Sequence, residues 1–150
     1  MKFSELDKEE WFNLQPYLDT CLIPVSGIAG GIAPWEMAEL AASAGAWLLP
    51  LEKAFAGRTV TLPAYHYYDG SPEAIAGLRR LCAGCREAGF RHVVLVSGIA
   101  GLLPEDAGAD LCIQPQASGE MPDPEALHHA MTGLWTKSRS GREGTQEKNE

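Results

Sequence analysis

His66 lies in Tyr65-His66-Tyr67-Tyr68-Asp69-Gly70, a stretch holding three of the four tyrosines in the chain. An imidazole titrates near neutral pH and serves as base or ligand, and tyrosines offer flat contact area with a polar tip. Two serines occupy equivalent places in a hexapeptide that occurs twice, Val25-Ser26-Gly27-Ile28-Ala29-Gly30 and Val96-Ser97-Gly98-Ile99-Ala100-Gly101. A serine nucleophile needs a positioned base and oxyanion donors. The G-x-S-x-G elbow that supplies them is missing, because Pro24 and Leu95 stand where its first glycine belongs. The glycines of both copies permit close backbone approach, and a helix start after them presents N–H groups to a ligand. Their spacing matches neither a dinucleotide loop nor a P-loop, and neither copy contains Lys or Arg. The reading is a ligand-contacting set of Ser26, Gly27, Gly30, Tyr65, His66, Tyr67, Asp69, Ser97, Gly98 and Gly101, with no catalytic residue, metal or cofactor assigned. The alternative is a hydrolase in which His66 is general base or sole histidine ligand beside Asp69 or Glu73. A metal-bearing form would draw its ligands from His66, Asp69, Glu73 and His92.

The remaining reactive side chains read as structural. Cys82-Ala83-Gly84-Cys85 is a C-x-x-C, but it falls far along a predicted helix on its apolar stripe, not at a helix start where the thiol pKa would drop. Cys21 and Cys112 stand in apolar strand-like runs, where a thiol behaves as a small hydrophobe. His128 and His129 are adjacent, and neighbours on a helix diverge by about 100°, so they do not readily chelate one ion together.

These groups have to be held by a βα framework. Ser4-Glu5-Leu6-Asp7 resembles a capping box opening a helix that runs to about Leu14. Thr20 to Val25 is apolar on both faces, the pattern of a strand covered from both sides. Pro34 starts a helix with an apolar stripe of Met37, Leu40, Ala41, Ala44 and Leu48 that should stop near Pro50. Arg58 to Ala64 is a second strand, followed by the tyrosine loop. Ser71 caps and Pro72 starts a helix with Ile75, Leu78, Cys82 and Cys85 on one stripe. His92 to Val96 and Ala109 to Ile113 are further strands, and Asp123-Pro124 opens a last helix. The alternation predicts one three-layer αβα domain over 1–135 with a mostly parallel sheet, Rossmann-like in layout, and a disordered polar tail over 136–150. Parallel strands put both hexapeptides on one edge of the sheet, where open α/β sheets bind ligands.

With 150 residues the chain can bury roughly 70% of its unfolded surface without metals or disulfides. A net charge of -8 argues against nucleic acid, whose binding needs cationic side chains. No apolar run approaches a membrane span of about 20 residues, and Met1 to Glu5 shows no signal-peptide pattern. The expectation is a cytoplasmic protein without membrane insertion whose partner is a small molecule or a protein. A homodimer through exposed Trp11 or Trp135 is a further expectation.

Tyr17-Leu18-Asp19-Thr20-Cys21-Leu22-Ile23-Pro24, together with Gly57-Arg58 and Pro63-Ala64-Tyr65-His66-Tyr67, resembles the YpiF-like family of uncharacterised proteins from spore-forming Gram-positive bacteria. That resemblance covers about residues 1–135 and implies no assigned activity. In layout, Ile23-Pro24-Val25-Ser26-Gly27, Gly70-Ser71-Pro72-Glu73 and the run from Gly89 to Gly98 are similar to the creatininase family of metal-dependent amidohydrolases. Where that family carries its first-loop Glu and His this chain has Ala29 and Gly31, and where its last loop carries His this chain has Ile99. The resemblance implies the fold, and the substitutions argue against the inherited chemistry, since a divalent metal needs oxygen or imidazole ligands.

Overall fold

The computed structural model describes residues 1–148. A 3-10 turn at Phe3–Glu5 precedes α1 (Lys8–Leu14), β1 (Thr20–Ile28), α2 (Pro34–Ala54), β2 (Thr59–Thr61), β3 (Tyr65–Tyr67), α3 (Pro72–Glu87), β4 (His92–Val96), β5 (Leu111–Ile113) and α4 (Pro124–Lys148). The sheet runs β2-β1-β4-β5 with every pairing parallel, and β3 also pairs with β1. β1 and β4 are direct neighbours in the register Thr20↔His92 to Pro24↔Val96.

Successive strand residues point to opposite faces, and the core divides accordingly. Cys21, Ile23 and Val25 of β1, with Val93 and Leu95 of β4, join Leu78, Cys82 and Cys85 of α3 in one cluster, against which Trp11 and Leu14 of α1 pack. Leu22, Val94 and Val96 join Trp47, Leu48 and Leu51 of α2 and Leu127 and Met131 of α4 in the other. The domain is therefore the three-layer α/β sandwich expected, with α1 and α3 on one face and α2 and α4 on the other. Among the described residues no helix is long and apolar enough to cross a membrane.

Several boundaries differ from the sequence reading. The cap of α1 is Asp7, which accepts from the Glu10 backbone N–H at 2.8 Å, while Ser4 sits inside the 3-10 turn. Pro50 does not end α2; it lies within the helix. A mid-helix proline costs about 3 kcal/mol, but the turn it would have ended carries Leu51, which is fully buried beside Trp47 and Leu48. Burying side chains of this size contributes about 1.5–3 kcal/mol each, which offsets the lost rung. β1 continues through Ser26 and Gly27 to Ile28, because β3 supplies ladder partners beyond Val25. Of the predicted second strand, Arg58 to Ala64, only Thr59–Thr61 forms β2, and the stretch read as the tyrosine loop supplies β3; the two lie end to end along β1 with Pro63 between them. Proline has no N–H to give the ladder, so the strand breaks there and resumes at Tyr65.

The two tryptophans proposed for a dimer contact are half-buried against residues of their own domain. Trp11 meets Phe90 at 5.4 Å between ring centroids. Trp135 meets Phe55 edge-on at 4.9 Å, donates to the Thr20 hydroxyl at 2.9 Å and carries the Arg58 guanidinium 4.0 Å above its ring. The exposed tryptophan is Trp35. The backbone of α4 is helical through Lys148, and the predicted tail over 136–150 falls partly outside the described residues.

Candidate functional site

Because β1 and β4 are parallel neighbours, the two hexapeptides leave the same edge of the sheet and touch. A Cβ on Gly27 would sit 2.8 Å from Ile99 Cδ1 and 3.0 Å from Leu102 Cδ2, and Gly27 itself has φ +77°. The second loop turns inward. The Ser97 hydroxyl accepts from the Ile99 N–H at 3.1 Å, and the Ser43 hydroxyl of α2 donates to the Gly98 carbonyl at 3.1 Å. One spelling thus has two conformations: the first copy stays extended to Ile28, where β3 pairs with it, whereas the second leaves the ladder at Val96 and packs under α2.

β3 brings His66 to Ser26. The Ser26 hydroxyl pairs with His66 Nδ1 at 2.8 Å and also reaches the His66 carbonyl at 3.4 Å. Ser26 is buried and His66 is exposed. No carboxylate bonds His66 among the described residues; Asp69 instead accepts from the Ser71 N–H at 2.9 Å, the Ser71 side chain and then its N–H hold the Asp69 carboxyl below the usual range, and Ser71 caps α3. The expected His66–carboxylate contact is therefore corrected to a His66–serine contact. Tyr67 is exposed, Tyr65 is half-buried against Tyr68, and Tyr68 is buried, so only part of the tyrosine cluster faces outward. Gly30 and Gly101 are exposed at the loop tips.

Beside Gly27 and Ala29 a cleft of about 330 Å³ opens between the end of β1 and the first turns of α2, lined also by Ile32, Trp35, Glu36, Glu39 and Leu40. Of the ten residues read as ligand-contacting, only Gly27 lines it. The wall on α2 escaped the sequence reading, although Trp35 gave a signal. It stands off the predicted stripe of Met37, Leu40, Ala41, Ala44 and Leu48, of which Ala44 and Leu48 are buried, so a large aromatic had to project elsewhere.

His92 is at the far edge. It pairs with Thr20, the first residue of β1, whereas His66 lies beside the last turns of that strand, roughly 20 Å away at the usual strand rise. The two histidines do not share a metal site, and among the described residues no three His, Cys, Asp or Glu side chains converge as a ligand set would. The residues do not fit the metal that the creatininase resemblance implies. Burial lowers the His92 pKa from its ordinary 6.5, against the pull of Asp19 and Asp110. The unfolded chain then binds the proton more tightly than the fold. Stability should fall as pH drops through about 6.5, and a series of melting curves from pH 7.5 to 5 should show a decline that His92→Gln flattens.

A family model described as protein of unknown function (DUF2487) matches residues 9–99, more than half of the chain. The chain belongs to this family. The matched span of this DUF2487 member runs from α1 through β4 to Ile99, so it takes in the Ser26–His66 pair, the whole cleft and the start of the second hexapeptide. No curated protein and no solved structure matches the chain.

Proposed function

We propose that this DUF2487 member is a non-catalytic domain that binds a small molecule at the carboxyl edge of its sheet. The observation that carries the reading is the cleft of about 330 Å³ at that edge, with the exposed Trp35 on one wall and the Gly27 backbone on the other. Its size suits a small ligand, and its place is where open α/β sheets bind them. Tyr67 and His66 flank the same rim and supply further contacts. The YpiF-like resemblance, with no activity attached, and a creatininase-like layout stripped of its ligands are both in keeping with a binding domain.

The Ser26–His66 contact at 2.8 Å favours a second reading, a hydrolase. Two facts weigh against it. Ser26 is 1% exposed, which leaves an acyl group no approach, and His66 has no third group among the described residues to orient it. The bond instead ties β3 to β1.

A fluorophosphonate probe separates the readings, since it labels an activated serine. The binding reading expects no adduct at Ser26, and an adduct lost in Ser26→Ala would overturn it. In parallel, a metabolite that raises the melting temperature of the wild type should leave Trp35→Ala unmoved. Equal shifts in both proteins would place the ligand elsewhere.

A further inference from the structure

The opposite edge of the sheet holds a second cleft, of about 350 Å³, lined by Arg91, His92, Asp110, Leu134, Lys137 and Ser138. His92 is 4% exposed, and its Nε2 has no hydrogen-bond partner among the described residues. A buried imidazole nitrogen without a partner costs free energy that a bound group would recover. The nearest candidate inside the protein does not provide it. Asp19 Oδ2 is 4.0 Å from Nε2, and the carboxylate is already engaged by Arg58 at 3.0 and 3.1 Å and by the Thr20 hydroxyl at 2.9 Å.

The charges around the cleft sort by what already holds them. Asp110 accepts from Arg86 and from the Val93 N–H, both at 2.8 Å, so its charge is largely met. Arg58 is spent on Asp19. Arg91 and Lys137 are exposed and form no ion pair among the described residues. Among the described residues, the donors left free at the cleft are thus a guanidinium, an ammonium, an imidazole and a hydroxyl, and Asp19 and Asp110 are each paired with an arginine.

We propose that this cleft binds a phosphate group, held by Arg91 and Lys137 with His92 and Ser138 as further donors. A guanidinium and an ammonium with neutral donors between them form a set that phosphate oxygens satisfy. The volume exceeds one phosphate several-fold, taking water at about 30 Å³ as the measure, so the cleft has room for a small organic substituent. This site is separate from the carboxyl-edge cleft and does not depend on it.

The test follows the imidazole proton resonances of the full chain by NMR during titration with inorganic phosphate, glycerol 3-phosphate and, as control, sodium chloride at matched ionic strength. The His92 signal should move with phosphate and not with chloride, and either Arg91→Ala or Lys137→Ala should weaken the response about tenfold, the loss of one charged hydrogen bond. Both substitutions are at exposed positions, so the fold should survive them. Tighter response to glycerol 3-phosphate would identify a phosphate carried on a small metabolite, and equal response would identify free phosphate. A His92 signal that ignores both phosphates, or one that moves equally in wild type and both variants, would overturn the proposal.

Discussion

Gly98→Ala should destabilise this protein by about 3 kcal/mol, near the upper end for overpacking, and lower its melting temperature by roughly 10 °C. The reason is backbone against backbone. A Cβ on Gly98 would sit 2.6 Å from the Ser43 carbonyl carbon and 2.7 Å from its oxygen, and neither can swing aside as a side-chain tip would. To make room, α2 must lift from the end of β4, which disturbs Trp47, Leu48 and Leu51 in the core beneath and breaks the Ser43–Gly98 hydrogen bond. Gly30, the last glycine of the first hexapeptide, is the control: a Cβ there meets nothing within 4 Å and its φ is ordinary. Gly30→Ala should lie within about 0.5 kcal/mol of wild type. Chemical denaturation of the two variants makes the comparison directly. Equal stabilities would show that α2 does not press on the second loop.

Replacing Asp19 with alanine should cost about 2–3 kcal/mol. Its carboxylate takes two hydrogen bonds from Arg58 and one from Thr20, and Thr20 in turn accepts from Trp135, so one side chain ties the start of β1 to the strand below it and to α4. Removing it leaves the guanidinium, among the described residues, with the Trp135 face. Breaking a fully buried pair this way costs about 3–5 kcal/mol; the side-chain exposures of 39% for Arg58 and 17% for Asp19 place this pair below that range. The effect should depend on pH with a definite sign. Burial raises the Asp19 pKa, but the hydrogen bonds from Arg58 and Thr20 outweigh it and hold the carboxyl below its ordinary 3.8. The pair therefore stabilises the fold above about pH 4, and its contribution is lost as pH falls further. The gap in stability between wild type and Asp19→Ala should be full at pH 7 and close on acidification below 4. A gap that stays constant would assign the loss to packing rather than charge.

Pattern and period in the sequence determined the architecture. The short continuous apolar runs of β1 and β4, the apolar stripes of α2 and α3 and the prolines at their starts were enough for a three-layer parallel α/β domain with both hexapeptides on one edge, since these signals act through local backbone geometry. Of the four cysteines read as core residues, Cys21, Cys82 and Cys85 are buried and Cys112 is half-buried. Identical spelling did not carry over to identical structure. Only the neighbours in space decided that Gly27 adopts positive φ beside Ile99, that Gly98 lies under Ser43, and that β1 runs on to Ile28 because β3 lies alongside. The cleft wall formed by Trp35, Glu36 and Glu39, the Ser26–His66 bond and the linked set of Asp19, Arg58, Thr20 and Trp135 join residues up to 115 positions apart. No local rule encodes such pairs. They arise when burial of the two apolar faces fixes the layers and leaves each polar side chain with whichever partner the packing has brought within reach.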